Sequence, residues 1–118
     1  MTDNKLVNTI IEGIKDKKGE NITILNLKGI DGSICDYYII CDANSITQTD
    51  AIADSVWDRV HKDLNEKPLH DEGRQNATWI LLDYHDVILH IFHRPARQFY
   101  SLETLWNDAQ RTDIPNED

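Results

Sequence analysis

The chain is poor in the residues that would place it in several functional classes. It has two cysteines in 118 residues, Cys35 and Cys41. On one extended strand they would stand about 20 Å apart at roughly 3.3 Å per residue, beyond the ~7 Å Cα separation of a disulfide. No CxxC is present, so the thiols read as free in a reducing compartment. No run approaches the roughly 20 apolar residues of a membrane span. The first residues, interrupted by Asp3 and Glu12, are too polar for a secretory signal. Basic charge is also scarce: 12 Lys and Arg against 21 Asp and Glu give a net −9. That weighs against direct binding to nucleic acid, where cations neutralise phosphates. It suits a basic protein partner, because opposite charge speeds encounter, or simply solubility.

The sequence also lacks GxGxxG, P-loop, GxSxG and HExxH motifs. The five histidines form no ligand set. His90 and His93 are three apart on a strand and point to opposite faces. His61 has no partner at i+4 except Asn65, and His70, Asp71 and Glu72 are adjacent in a loop. No metal, cofactor or catalytic residue is expected, and the chain reads as no enzyme.

What is present is 40% apolar and 28% charged, ordinary for a globular domain. Residues 1–118 read as one domain, with a core over about 5–110 and an acidic, frayed tail at 111–118. Leu6, Val7, Ile10, Ile11 and Ile14 predict a helix over 3–16, closed by Gly19. Asn21 to Lys28 and Asp36 to Asp42 predict two antiparallel strands around the Asp31-Gly32 turn. Ser45 and Gln48 form a capping box, and Ile52, Val56, Val60 and Leu64 continue a helix over about 46–66, ended before Pro68. Residues 67–76 read as a loop.

Thr78 to Asp83 and Val87 to His93 then read as a hairpin, apolar on both faces. With Tyr84 and His85 as the turn, Asp83 opposes Asp86. Ile80, Leu82, Leu89 and Ile91 make one aliphatic face, expected under the helices. The other face carries Trp79, Leu81, Ile88, His90 and Phe92. Phe99, Leu102, Leu105, Trp106 and Ala109 predict a last helix. The fold class is therefore α/β (α+β): one mixed sheet with three helices in the order αββαββα, the helices on one side. The open face is the expected partner surface, with Trp79, Leu81, Asp83, Tyr84, His90 and Phe92 as its residues, because aromatics are enriched in interface cores. The competing reading buries that face as a second layer under the last helix.

Gly32-Ser33 and Asp36 outline a nucleotidyltransferase signature, whose Mg²⁺ needs two carboxylates at alternate strand positions. Tyr38 stands where the second should be, so the alternative of a degenerate nucleotidyltransferase-like or nucleotide-binding domain ranks behind a turn followed by a strand.

Taken together, the residues resemble the ribosomal silencing factor, or Iojap, family over about Leu6 to Gln110. The resemblance rests on Ile24-Leu-Asn-Leu27 leading to Ser33-Ile-Cys-Asp-Tyr-Tyr-Ile-Ile40, on Ser45-Ile-Thr-Gln48 with Ala51-Ile-Ala53, and on Glu72-Gly73. It continues through Trp79-Ile-Leu-Leu-Asp-Tyr84, His90-Ile-Phe92, Arg97-Gln-Phe-Tyr100, Leu102-Glu103, Leu105-Trp106 and Asp108-Ala109. It implies a nucleotidyltransferase-like fold without the catalytic carboxylates. It also implies a cytoplasmic translation repressor that binds the large ribosomal subunit through its ribosomal protein numbered fourteen, at the intersubunit face. Such a protein blocks subunit joining under nutrient limitation or in stationary phase, and is a homodimer when free. Two departures stand out: His85 where the family usually has Gly, and Cys41-Asp-Ala-Asn44 in place of a small, glycine-containing step.

Overall fold

The structure, a computed structural model, describes residues 4–116. Helix α1 spans Lys5–Asp16, strand β1 Glu20–Asn26, β2 Tyr37–Ala43, helix α2 Ile46–Leu64, β3 His70–Glu72, β4 Trp79–Asp83 and β5 Val87–His93. Helices α3 (Arg94–Tyr100) and α4 (Leu102–Leu105) follow, and β6 (Gln110–Ile114) ends the described chain. The six strands form one sheet in the order β3-β4-β5-β2-β1-β6. Only the central pair β2 and β5 is parallel; the other neighbours are antiparallel. The mixed α+β class expected from the sequence is what the chain adopts.

Local chemistry explains the first helices. Asn4 caps α1 by accepting from the Val7 N–H at 3.1 Å. The other end stops at Asp16 with Lys18 in the left-handed region (φ 59°), so a lysine rather than Gly19 reverses the chain. Residue 3, also expected in this helix, lies outside the described residues. Ser45 caps α2 by accepting from the Gln48 N–H at 3.1 Å, and Gln48 reaches back to the Asn44 N–H at 3.3 Å. That is the capping box, displaced by one residue on its return bond. Asn65 closes α2 in the left-handed conformation. The two helices meet at Gly13, where an added Cβ would come within 2.9 Å of the Val56 Cα. Only a missing side chain permits that approach, and Ser55 uses it to donate to the Gly13 carbonyl at 2.8 Å.

One face of the sheet lies under α1 and α2. There Val7, Ile10, Ile11 and Ile14 of α1 and Ile52, Val56 and Val60 of α2 pack on Ile39, Ile80, Leu82, Leu89 and Ile91. The four hairpin residues expected there are all fully buried.

Four expectations need correction. First, the helices are not all on one side: α3 and α4 cover the opposite face, against β2 and β5. Those central strands are apolar in both directions, as doubly covered strands are, and Tyr38, Ile40, Ile88 and Phe92 form a second core with Leu25, Leu27 and Leu102. Second, the last helix is broken at Ser101, whose φ of +50° ends α3 and starts α4. Its apolar stripe does not all face inward: Leu102 is buried, while Phe99 and Leu105 stay 81% and 71% exposed. Third, residues 67–76 and the tail contain edge strands. β3 pairs with β4, and β6 pairs with β1 from Ile22–Ile114 to Asn26–Gln110. Backbone pairing needs no hydrophobic pattern, so polar His70–Glu72 and Gln110–Ile114 gave no strand signal. Residues 117 and 118 of the expected tail lie outside the described residues.

Fourth, the hairpin turn is His85-Asp86, so Asp83 opposes Ile88 and Leu82 opposes Leu89. His85 takes φ +78°, and its N–H donates to the Asp83 carboxylate at 2.7 Å. That bond offsets part of the cost of the left-handed region. Because the register moves by two, the two faces keep their residues. Tyr84, however, becomes a paired residue of the helix-covered face and is buried.

Candidate functional site: an aromatic ridge at the open side of the second face

The second face is closed over β2 and opens over β4. Its closed part is held by charge. Asp42, 2% exposed, projects from β2 between two guanidiniums of α3. Arg94 Nε donates to one carboxylate oxygen at 2.9 Å and Arg97 Nη1 to the other at 3.2 Å. Arg94 continues to Glu20 at 2.8 Å and to the Asn44 side chain at 2.6 Å. Arg97 donates to the Thr23 hydroxyl and to Glu103, both at 2.9 Å, and to the Asn21 carbonyl. Thr23 in turn donates to Asp113 of β6 at 2.7 Å, and that bond with the nearby Arg111 holds the Asp113 carboxyl below its usual range. Every nitrogen of Arg97, 11% exposed, has an acceptor, which is the condition for holding its charge beside the buried Asp42. The cluster pins a short helix that has no buried residue of its own.

Beyond it stands the ridge. Trp79 of β4 is half-buried, and its indole stacks on Phe92 (5.1 Å between centroids) and packs against Tyr100 (4.5 Å). Its Nε1–H donates to His90 Nδ1 at 3.1 Å. Tyr100 is 49% exposed, and Phe99 stands edge-on to it at 5.2 Å. Leu81 continues the ridge along β4, half-buried. The strand is placed there by Gly73, which takes φ +89°; an added Cβ would come within 2.0 Å of the Trp79 carbonyl oxygen. This is the physical reason for glycine in the Glu72-Gly73 step.

The six residues expected as a partner surface therefore divide. Trp79, Leu81 and Asp83 are half-buried on the open part of the second face. His90 and Phe92 are on the same face but buried, at 3% and 0% exposed, and form the floor on which Trp79 rests. Tyr84 is on the other face; burial pushes its phenol well above the ordinary range, and its hydroxyl has no hydrogen-bond partner among the described residues. The expected exposure of His90, Phe92 and Tyr84 is thus corrected, and for the first two the buried-layer reading describes the packing. Sequence reasoning missed Tyr100 as a neighbour of Trp79, with Phe99 against Tyr100. The motif Arg97-Gln-Phe-Tyr100 held the signal: in a helix its arginine and its aromatics cannot all point one way.

Burial disfavours the charged forms of both thiols and of the His90 imidazole. Burial, with Asp83 and Asp36 nearby, pushes the Cys35 thiol up to about 11, and burial pushes Cys41 higher still. Burial lowers His90 to about 4, so the ring is neutral near pH 7. Among the described residues no three His, Cys, Asp or Glu converge in a way that could hold a metal ion. Tyr38, at the place of a second nucleotidyltransferase carboxylate, lies against His90 and Trp106 in the second core. Among the described residues no helix is long and apolar enough to cross a membrane.

Comparison with known proteins gives a consistent answer. A family model described as "Ribosomal silencing factor during starvation" matches residues 1–118. The ribosomal silencing factor RsfS of Halalkalibacterium halodurans is 36% identical, with 97% of this chain and 96% of that one aligned. Its counterpart in Bacillus subtilis is 39% identical over 84% and 82%. A crystal structure of a protein from Chromobacterium violaceum superposes with a TM-score of 0.83 at 27% identity, covering 91% of this chain and 88% of the other.

Proposed function

The chain belongs to the ribosomal silencing factor family, a family named for silencing and not for catalysis, and from that premise we propose that its aromatic ridge docks on the large ribosomal subunit. The partner is a basic ribosomal protein at the intersubunit face, numbered fourteen in the large subunit. Occupying that face keeps the small subunit from joining and represses translation when nutrients are short. The protein acts in the cytoplasm, and when free it pairs as a homodimer.

The observation that carries the reading is the ridge itself. Trp79 is clamped from three sides yet keeps part of its ring in solvent, beside a half-exposed Tyr100 and an exposed Phe99. Preformed, immobile aromatics of this kind lose little conformational freedom on binding and are the usual hot spots of interfaces. The net charge of −9 supports a basic partner, with Asp83 on the same face of β4 as Trp79 and Leu81. The reading as a nucleotide-binding domain rests on fold outline alone, since Asp42, the buried strand carboxylate, is already paired with Arg94 and Arg97.

The test is Trp79→Ala, followed by thermal melting and by co-sedimentation with purified large subunits. A folded variant should lose about 2 kcal/mol of binding, roughly thirtyfold in affinity, and should stop blocking subunit joining. A folded variant that sediments and inhibits like the wild type sinks the ridge as the docking surface. Calorimetric titration with Mg²⁺ and a nucleotide tests the alternative, which requires tight binding.

A further inference from the structure

His90 is an odd residue to place in the second core. It is 3% exposed, lies between Leu81 on β4 and Ile40 on β2, and is surrounded by rings. Its Nδ1 accepts the Trp79 indole N–H at 3.1 Å, so the ring proton sits on Nε2. That Nε2 is buried and has no hydrogen-bond partner among the described residues; the nearest ring, Tyr38, stands edge-on at 4.6 Å. A buried donor without an acceptor is a cost that an aliphatic residue would remove. A leucine or phenylalanine would serve the packing equally, so packing does not explain the imidazole. What the imidazole alone provides is one acceptor aimed at the edge of Trp79.

Resting on the reading of the ridge as the docking surface, we infer that His90 is its positioning residue: the Nδ1 lone pair fixes the indole of Trp79 in the one orientation in which its free face meets the partner. The geometry supports this on two counts. A tryptophan at a sheet edge has two torsions to fix. Stacking on Phe92 and packing against Tyr100 restrict the plane of the ring but do not set which of its edges faces the sheet. The hydrogen bond decides which edge faces the sheet, because it ties the pyrrole N–H edge to His90. His90 itself cannot reach a partner, because Trp79, Phe92 and Tyr38 enclose it.

The test compares three variants of the full chain. His90→Asn keeps an acceptor near the place of Nδ1. His90→Gln puts its polar end near the place of Nε2 instead, and His90→Leu has no acceptor. We expect His90→Leu and His90→Gln to weaken large-subunit co-sedimentation by roughly three- to tenfold, the factor for a side chain that must be ordered on binding, and His90→Asn to restore it. The indole N–H resonance of Trp79 in the free protein should be protected from exchange in the wild type and in His90→Asn only. Folded His90→Leu or His90→Gln that binds as tightly as the wild type overturns the inference. If His90→Leu fails to fold, the Asn and Gln pair decides alone, and equal binding by the two overturns it. Trp79→Ala separates this from the parent reading: if that folded variant still sediments, the ridge is not the docking surface, whereas loss in Trp79→Ala with no loss in His90→Gln removes only the role of His90.

Discussion

The two faces of the sheet are built from the same strands by different means. Under α1 and α2 the sheet presents Ile24, Ile39, Ile80, Leu82, Leu89 and Ile91 to helices that answer in kind. The face is held by volume and by exclusion of water. Under α3 and α4 the same strands present Asp42, Thr23, His90 and Tyr38 among the apolar residues, and the cover is pinned by Arg94 and Arg97. The first face buries Ile39, Ile80, Leu82, Leu89 and Ile91 completely. The second closes where charges clamp it and stays open where they end, at Trp79. The difference teaches how a small domain keeps an apolar patch at its surface without collapsing onto it: a short helix docked by ion pairs stops where its partners stop, whereas an amphipathic helix docked by hydrophobic area would spread over Trp79 and Leu81.

That contrast can be broken on either side. Leu89→Ala on the first face should cost about 2–5 kcal/mol of folding stability, since Leu89 is fully buried and the cavity cannot fill from rigid neighbours. Leu89→Met, which keeps the volume, should cost under about 1.5 kcal/mol. Denaturant unfolding checks both, and a melting temperature unmoved by Leu89→Ala would deny that this face is the main core.

On the second face shape should matter less than charge. Asp42→Asn preserves the outline of the side chain but takes a charge from between two guanidiniums. A loss of about 3 kcal/mol is expected, the low end for breaking a buried pair, because Arg94 keeps Glu20 and Arg97 keeps Glu103. Proteolysis should then cut first within α3, and an unchanged unfolding curve would mean that the clamp holds nothing.

Acid should reach the second face before the first. The buried imidazole of His90 is depressed from 6.5 to about 4, so below about pH 6.5 the unfolded chain takes up a proton that the folded one refuses. Its contribution to stability is complete above that pH and falls as the pH drops toward 4, by at most about 3 kcal/mol. The difference in unfolding free energy between the wild type and His90→Asn, followed from pH 7.5 to pH 4, measures it; a flat difference refutes it. The smallest effect on stability belongs to Phe99→Ser. At 81% exposed it should change folding by no more than about 0.5 kcal/mol, yet it should weaken large-subunit binding if the ridge docks. Equal affinity would shrink the surface to Trp79, Leu81 and Tyr100.

Much of the candidate site was legible before the fold was known. The alternation of the hairpin put Trp79, Leu81, His90 and Phe92 on one face, and it stayed right although the turn was placed one residue early, because the register moved by two. Exposure was the part that misled. Alternation says which residues share a face, not whether something covers it, and the cover came from Arg94–Tyr100, where the anchoring signal is a pair of arginines rather than an apolar stripe. Tyr84 failed for a related reason: once the turn is His85-Asp86, it is the last paired residue of the helix-covered face.

The sequence by itself determined the two amphipathic helices with the Ser45 cap of the second, the antiparallel first pair of strands, the two-faced hairpin, and the family to which the whole pattern belongs. These are local in cause: periodicity, capping oxygens and turn residues act over a few positions. Only the tertiary structure decided that β2 and β5 lie side by side and parallel, that β6 returns to pair with β1, and that Asp42 meets two arginines more than fifty positions away. Those depend on backbone hydrogen bonds and on charges brought together by the chain's path, and neither leaves a periodic trace. The same contacts decide how far α3 reaches, and so which aromatic remains in solvent.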